Sequence, residues 1–428
     1  MLSRMEHDSI GALNVPAEAY YGVQSMRAAT NFQITHRPLH PVLIDSIVMV
    51  KKAAAITNEK SGKLDQQIVQ AIIQACDEIL DGNLRDQFIV DAIQGGAGTS
   101  ANMNANEVIA NRAIEILGGT KGDYSVVHPN DHVNMSQSTN DVIPTAGKIT
   151  VLKLLPQTIK ELEKLEKAME EKEAEFDDIL KMGRTQLQDA VPMRLGQSFG
   201  AFAHVLKRDI KRLKNVMDEM KVLNIGATAI GTAINVDPYY LANISYELSK
   251  VAGISLKQAD DLIDATQNLD GFVSVSGVLK TCAVDISKIS NDLRLMSFGP
   301  RTGLSEINLP ARQNGSSIMP GKINPVIPEV VSQVVYLIIG HDYTITMAAE
   351  AGQCEKYIEK SVGISTALCP YIGYAKSAEI AKKSLKTGIS VKELVLEEGL
   401  LKEEELKEIL KPEKMTQPMR EKVMKAVS

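Results

Sequence analysis

A glycine-rich segment at residues 94–107 is the first place where the sequence carries side chains suited to chemistry. It reads QGGAGTSANMNANE, so a glycine loop leads directly into a predicted helix. This arrangement places backbone N–H groups, Thr99 and Ser100 at the positive end of the helix, which favours an anion. It does not match a nucleotide phosphate loop, because no Lys follows the last glycine. The alternative interpretation is a helix start with polar caps and no ligand.

A second polar segment spans residues 128–141 and reads HPNDHVNMSQSTND, with Val133 and Met135 as its aliphatic-type side chains. Hydroxyl and amide groups are what a site needs to hold a carboxylate by hydrogen bonds. The alternative is an ordinary polar surface loop. Taken alone, His132 is better interpreted as a hydrogen-bonded structural histidine than as a catalyst.

Residues 315–325 form the third candidate segment. They read GSSIMPGKINP, and two glycines and two prolines between long helices predict a loop. Loops of about 10 to 15 residues are usually functional or mobile. Ser316 and Ser317 beside Lys322 fit three interpretations, namely a nucleophile pair, an anion clamp or a flexible hinge. No His or Asp close in sequence completes a nucleophilic triad.

Long helices must position these segments, because apolar residues recur at helical spacing over much of the chain. The pattern predicts an amphipathic helix between Asp65, which can cap it, and Gly82, which ends it. It predicts a helix of roughly 30 residues from Leu195, and two more long helices at 155–182 and 272–296. Strand signals are few and short, so the sequence predicts a mainly α fold built on a helical bundle.

The helix predicted from Pro328 to about Ala351 has apolar side chains around most of its circumference. A helix of this kind is expected to be buried on all sides. The three or four long helices of one chain are too few to cover it. We therefore expect several copies of the chain to pool their helices into one core, which predicts a homo-oligomer.

Composition narrows the possible partners and location. The 428 residues include 47 Lys and Arg against 53 Asp and Glu, a net charge of −6, with no basic block. Nucleic acid is therefore not an expected partner. No apolar run reaches the ~18 residues of a membrane span, and the first residues lack an apolar signal region. We expect no membrane association and a cytoplasmic protein.

Cysteine and histidine patterns give no sign of a metal or disulfide framework. The four cysteines are scattered without a CxxC pair, which is typical of reduced core residues. The seven histidines include no HExxH motif, and Pro38 separates His36 from His40. We expect no protein-ligated catalytic metal.

The segment at 315–325 matches the GSSxMPxKxNP signature of the aspartase/fumarase superfamily, and the other two segments match its remaining site motifs. The resemblance covers nearly the whole chain. It implies a homotetramer in which each active site combines segments from three subunits around a small dicarboxylate. It also implies a mainly α, three-domain fold, with an N-terminal domain at 1–139, a central long-helix bundle at 140–353 and a small helical C-terminal domain at 354–428.

Within the superfamily, the details resemble the branch that deaminates L-aspartate to fumarate and ammonia more than class II fumarases. Fumarases usually carry a second serine where Thr139 stands, and a histidine where Gln186 stands. The resemblance implies carbanion chemistry without a cofactor. Two alternatives remain open, namely a class II fumarate hydratase and a catalytically silent relative of the superfamily.

The resemblance also implies roles for individual residues. Ser316 would be the base that takes a proton from the carbon next to the β-carboxylate, and its loop would close over the substrate as a lid. Nine further residues would bind substrate, with Thr99, Ser138, Thr139 and Ser317 at the β-carboxylate, Lys322, Asn324 and Thr185 at the α-carboxylate, and Asn140 and Gln186 at the amino group.

The chain departs from the superfamily pattern after Gln353. Relatives continue there with a helical stretch of about 40 residues, ~60 Å long as a helix, whereas Cys354 here leads directly into the tail. We hypothesise that this sequence omits residues of the molecule at the junction, rather than that a bundle helix is genuinely absent. The Gln353 carbonyl carbon and the Cys354 nitrogen would then lie far apart, and a peptide bond of ~1.33 Å would contradict the hypothesis.

Overall fold

A computed structural model describes residues 2–95, 97–351 and 362–410, and these residues are mainly helical. The short strands pair as β1–β2 and β3–β4, both antiparallel, and as β5–β6, which is parallel. Two 3₁₀-helices, Arg85–Gln87 and Val362–Leu368, and a π-helix, Pro129–Val133, complete the regular structure of this part of the chain. The elements are α1 (Val23–Asn31), α2 (Pro41–Lys60), α3 (Gln66–Leu80), α4 (Thr99–Ile116), α5 (Thr139–Glu175), α6 (Leu195–Met220), α7 (Pro238–Ala252), α8 (Leu262–Gln267), α9 (Asp270–Ser297), α10 (Val326–Ala351), α11 (Cys369–Ile372), α12 (Tyr374–Thr387), α13 (Val391–Glu397), α14 (Glu403–Ile409), β1 (Ser3–Asp8), β2 (Gly11–Pro16), β3 (Leu180–Thr185), β4 (Gln188–Arg194), β5 (Val222–Leu223) and β6 (Lys257–Gln258).

The predicted mainly α fold with long helices is confirmed. The Asp65 side chain caps α3 by accepting the N–H groups of Gln67 and Ile68. The apolar stripe predicted from Leu195 becomes α6, whose buried face includes Phe199, Leu206 and Leu213. The pattern at 272–296 becomes α9.

Helix α5 begins much earlier than the predicted start at residue 155, and it ends at Glu175 rather than at 182. The difference arises at Pro144, which has no N–H to bond the carbonyl of Asn140 four residues earlier. The side-chain amide of Asn224 bonds that carbonyl instead, at 3.0 Å. The helix therefore continues through the proline, and its first turn contains Thr139, Asn140 and Asp141, the end of the polar segment 128–141.

The described chain divides into two compact units. The first contains the described parts of Met1–Thr150, Lys221–Asn268 and Cys354–Ser428, in which α2 packs against α3 and α7. The second contains Val151–Met220 and the described part of Leu269–Gln353, in which α9 packs against α6 and α10. The division of the sequence into three domains at 139 and 353 stays a prediction.

Helix α10 is not buried on all sides within the single chain, and its burial by further copies of the chain stays a prediction. It packs along α9, but Val334 is 50% exposed, Leu337 58% and Tyr343 70%. Its buried residues are Ser332, Val335 and Asp342. A large apolar surface of α10 is therefore left uncovered by the described residues of its own chain.

The junction between Gln353 and Cys354 lies outside the described residues, so the hypothesis of omitted residues there stays a prediction. Of the cysteines that are described, Cys76 and Cys282 are buried free thiols and Cys369 is partly buried. In the part of the chain that the structure covers, none of the helices has the length and apolar character needed to cross a membrane.

Candidate active site

The glycine-rich segment leads into α4 as the sequence predicted. Gly98 precedes the helix with φ +80°, a left-handed conformation that favours glycine, and a Cβ there would lie 3.1 Å from the side chain of Ile143. Thr99 is the first residue of α4 and is exposed. Its hydroxyl therefore lies at the positive end of the helix, where an anion is favoured. Gly96 lies outside the described residues.

Ser138 lies immediately before α5 and caps it. Its Oγ accepts the N–H of Asn140 at 3.3 Å, and its own N–H donates to the carboxylate of Asp141 at 2.8 Å. These two hydrogen bonds fix the first turn of the helix. Ser138 and Asn140 are thus held in a defined geometry at a second helix N-terminus.

Thr139 brings the starts of α4 and α5 together. Its Oγ1 accepts a hydrogen bond from the side-chain amide of Asn102, in the first turn of α4, at 3.3 Å. Asn140 is exposed, and its amide donates to the carbonyl of Ala229 at 2.8 Å. The first unit therefore places four predicted site residues at two joined helix starts, namely Thr99, Ser138, Thr139 and Asn140.

Thr185 and Gln186 lie at the turn of the β3–β4 hairpin in the second unit. Thr185 pairs with Gln188, and the two residues between them, Gln186 and Leu187, have φ of 53° and 62°. Two left-handed residues are the requirement of a tight type I′ turn. Both predicted site residues are exposed at the hairpin end.

An acidic residue anchors this hairpin within the second unit. The carboxylate of Glu306 lies 2.7 Å from Nη1 of Arg184 and 3.1 Å from Nζ of Lys181. These two side chains belong to the strand that ends at Thr185. The pair of contacts joins the hairpin to the chain that leads toward the third segment.

The third segment forms a loop closed at its base. The N–H of Gly315 donates to the carbonyl of Lys322 at 2.8 Å, and Asn314 pairs with Ile323 in an isolated bridge. A Cβ at Gly315 would lie 2.5 Å from Oδ1 of Asn324, so only glycine permits this approach. The loop thereby brings Asn324 next to Gly315, while Lys322 is exposed.

The hydroxyl oxygen of Ser316 has a specific environment inside this loop. It accepts the backbone N–H of Ile318 at 3.3 Å and that of Met319 at 3.1 Å. Successive N–H groups of a turn that converge on one atom make a concavity that stabilises negative charge. The arrangement favours the deprotonated form of Ser316. Ser317, next to it, is exposed.

The structure thus gathers the ten predicted residues into three local groups, one in the first unit and two in the second. Among the described residues, no hydrogen bond joins the hairpin turn to the loop. The groups are Thr99 with Ser138, Thr139 and Asn140, then Thr185 with Gln186, then Ser316 with Ser317, Lys322 and Asn324.

His132 was interpreted from the sequence as a structural histidine. Its Nδ1 accepts the N–H of His128 at 3.0 Å, at the start of the π-helix.

Sequence reasoning did not assign a role to two buried ionisable residues near Ser138. Lys51 and Asp141 are both fully buried. Burial lowers the pKa of Lys51 to about 7 and raises that of Asp141 to about 6, while the charge of each opposes the shift of the other. The sequence feature that could have indicated a buried Lys51 is its place among the mainly apolar residues 42–56.

Comparison with protein families decides the class of the protein. A family described as Lyase matches residues 11–340, and one described as Fumarase C C-terminus matches residues 364–417. The chain belongs to the aspartase/fumarase superfamily of lyases. It is a carbon–nitrogen lyase.

Two similar curated relatives of this lyase have the same name. This lyase is 49% identical to an aspartate ammonia-lyase of a Bacillus species, over 97% of this chain and 98% of the relative. It is 45% identical to the aspartate ammonia-lyase of Escherichia coli K12, over 97% and 96% of the two chains. The alignment with the Bacillus protein has 457 positions, more than the 428 residues of this lyase, so the relative contains residues that this chain lacks.

Solved structures show the same fold. A fumarate lyase:delta crystallin from Brucella melitensis, bound to cobalt, is 47% identical with a TM-score of 0.81, over 97% of this lyase and 100% of that chain. A class II fumarase from Schistosoma mansoni is 32% identical with a TM-score of 0.79, over 97% and 99%. The fold of this lyase is that of the fumarase/delta crystallin lyases.

Proposed function

We propose that this lyase deaminates L-aspartate to fumarate and ammonia, with Ser316 as the base. The observation that carries the mechanism is the pair of N–H groups, from Ile318 and Met319, that converge on Ser316 Oγ. A serine hydroxyl is weakly basic, so its alkoxide must be stabilised before it can accept a proton from carbon. Backbone donors supply this stabilisation without side-chain reorganisation. The shared name of the curated relatives supports the substrate.

The proposed reaction proceeds through a carbanion. The Ser316 oxygen removes a proton from the carbon next to the β-carboxylate, and the electron pair left on carbon spreads into that carboxylate as an aci-carboxylate. The pair then forms the carbon–carbon double bond while the carbon–nitrogen bond breaks and ammonia leaves. Ser316 returns its proton to solvent, and fumarate is released. No cofactor enters this scheme.

Hydroxyl donors to the β-carboxylate would stabilise the extra charge. Ser138 Oγ and Thr139 Oγ1 each accept one N–H, so each can donate its own proton to an anion. Donors aimed at developing charge are each worth ~3 to 4 kcal/mol of the activation barrier. We assign this role to Ser138 and Thr139, together with Thr99 at the start of α4 and Ser317 beside the base.

Recognition of the α-carboxylate and the amino group would fall to the second unit and to Asn140. Lys322 supplies the charge, since it is the one Lys or Arg in the three sequence segments, and Asn324 and Thr185 supply hydrogen bonds. The amide of Asn140 donates to the Ala229 carbonyl, which fixes its orientation and leaves its oxygen to accept from the substrate ammonium. Gln186 would be the second contact of the amino group.

We propose a homotetramer in which three subunits share each site. Support comes from α10, where Val330, Val334, Leu337 and Tyr343 are each at least 47% exposed in the single chain. Contiguous apolar surface of this kind marks a protein–protein interface. The helices of four subunits would cover one another, and the site groups of different chains would meet at the same place.

Mixing two inactive variants tests the shared site. We expect Ser138→Ala and Ser316→Ala subunits, co-assembled in one tetramer, to recover part of the activity, because some sites then contain only intact segments. Activity is measured after separate purification, mixing and reassembly, with each variant reassembled alone as the control. Mixed tetramers verified by mass that remain inactive would show that each site is built within one chain.

A substrate comparison tests the reaction itself. We expect the purified protein to release ammonia from L-aspartate, measured together with the ultraviolet absorbance of fumarate, and to form little fumarate from malate. Thr139 and Gln186 stand where fumarases carry serine and histidine, which favours the amino substrate. Fumarate formed from malate but not from aspartate would identify a fumarate hydratase, and no reaction with either would identify a silent relative.

We also propose a cytoplasmic location, without a membrane or nucleic-acid partner. The support is the net charge of −6 and the buried free thiols of Cys76 and Cys282, since unpaired cysteines are typical of a reducing compartment.

A further inference from the structure

Two buried charged side chains lie on either side of the segment Ser138–Asn140. Lys51 extends from α2, Asp141 belongs to the first turn of α5, and both are 0% exposed. Removing a charge from water costs several kcal/mol unless good partners replace the water. The partners of these two residues therefore show what their charges do in the fold.

Lys51 holds the chain immediately before Ser138. Its Nζ donates to Oδ1 of Asn134 at 2.7 Å and to Oε1 of Gln137 at 3.0 Å. Gln137 in turn donates to the carbonyl of Val133 at 3.0 Å, which closes the turn on itself. The same Asn134 oxygen accepts the amide of Asn102 at 3.1 Å. The turn is thus fixed to both α2 and α4.

Asp141 holds the same segment from the other side. One carboxylate oxygen accepts the N–H of Ser138 at 2.8 Å, and the other accepts the N–H groups of Gly226 and Thr228, both at 3.1 Å. Thr228 has φ +57°, a strained conformation that persists only when surrounding contacts retain it. Ala229, next in the loop, is the residue whose carbonyl fixes the Asn140 amide at 2.8 Å.

We propose that Lys51 and Asp141 form a pair of positioning residues for the substrate segment Ser138–Asn140. Lys51 acts through Asn134 and Gln137, and Asp141 acts through the backbone of Ser138 and the loop at 226–229. The proposal rests on the proposed function, in which this segment binds the β-carboxylate and the amino group. Neither residue touches substrate. Hydroxyl donors must be held within about 0.5 Å of the productive geometry, which supporting hydrogen bonds from buried side chains can achieve.

The test of Asp141 is Asp141→Asn, which keeps the shape but turns an NH₂ group toward backbone N–H donors. We expect kcat for L-aspartate to fall about 30-fold, since displacement by 1 Å can cost ~10²-fold, while KM changes less than about threefold. Loss of a contact made only in the transition state lowers kcat rather than raising KM. A folded variant with kcat within about twofold of the unsubstituted enzyme would overturn the proposal.

Glu107→Gln is the matched control. Glu107 is 1% exposed, lies in the same unit, and accepts the N–H groups of Gly22, Gln24 and Ser25 at 2.9 to 3.0 Å and also the Ser25 hydroxyl, so glutamine likewise turns an NH₂ group toward backbone N–H donors. These contacts hold α1 rather than the substrate segment. We expect Glu107→Gln to lower Tm as much as Asp141→Asn does but to leave kcat unchanged. Equal losses of kcat in both variants would show a general structural effect and overturn the positioning role.

A double variant tests whether the two charges act as a pair. Lys51→Met should also lower kcat, whereas Lys52→Met, next to it and ion-paired with Asp77 at 2.5 Å, should not. Lys51→Met/Asp141→Asn should lose less than the product of the single losses, because both substitutions loosen the same segment, Ser138–Asn140. It also serves as the test if Asp141→Asn fails to assemble. Losses that simply multiply would overturn the pair.

Measuring the unsubstituted protein in the same assay distinguishes the positioning role from the proposed deamination of L-aspartate. If it does not release ammonia from L-aspartate, the proposed function fails, and the positioning role fails with it. If it is active and the substituted proteins match it in kcat, only the positioning role is wrong.

Discussion

Ser316→Ala lowers kcat for L-aspartate by at least ~10³-fold while the protein still assembles, because it removes the base and leaves helix packing unchanged. The N–H groups of Ile318 and Met319 would then converge on empty space where the alkoxide had been. Ammonia release and steady-state kcat measure the effect, and circular dichroism with size-exclusion chromatography verifies the assembly.

Ser317→Ala is the control for this prediction, since it removes the same hydroxyl from the neighbouring, exposed residue. It should lose one donor to the β-carboxylate, a loss of ~10²- to 10³-fold in kcat, and therefore less than the loss of the base. Near-normal turnover by Ser316→Ala, or a larger loss of kcat in Ser317→Ala than in Ser316→Ala, would show that another residue is the base.

Lys322→Ala is expected to have the second largest effect, and it should raise KM as well as lower kcat. A carboxylate enclosed by the site would lose its one formal positive charge from the three segments, and charge-assisted hydrogen bonds are about twice as strong as neutral ones. Because the contact is made to the α-carboxylate in both the ground state and the transition state, binding suffers together with turnover. Initial rates over a wide range of aspartate concentration measure both constants.

Lys167→Ala controls for the simple loss of a positive charge. Lys167 lies on α5 in the second unit, with its side chain 76% exposed and a long ion pair to Glu171 of 3.9 Å. An exposed pair of this kind contributes little, so KM and kcat should not change. If KM is also unchanged in Lys322→Ala, this lysine does not hold the α-carboxylate.

Much of the fold could be predicted from the sequence, because apolar residues at helical spacing form the one face that a helix buries. Helices α3, α6 and α9 appear where apolar spacing and a capping Asp65 placed them. Helix α5 shows the limit of that reasoning. Its passage through Pro144 depends on Asn224, which is 80 positions beyond the proline in the chain and which no local pattern could place there.

The third segment is the clearest case where the sequence alone located a candidate site. Gly315, Lys322 and Asn324 lie close together because the loop closes on itself over a few residues. The convergence of two N–H groups on Ser316 is likewise a property of consecutive residues. Local backbone geometry follows from local sequence, so a motif of this kind can be recognised from the order of its residues.

Other properties depend on residues that are distant in sequence. Lys51 and Asn134 are 83 residues apart, and Asp141 meets the N–H of Thr228 over 87 residues. Whether a lysine in a helical stripe is buried or solvated is decided by the polar groups that other elements place beside it, because burial of a charge is tolerated only with such partners. Likewise, the sequence showed that apolar side chains surround most of α10. The wide exposure of this helix in one chain is a property of the tertiary structure, because only packing determines which side of a helix is covered.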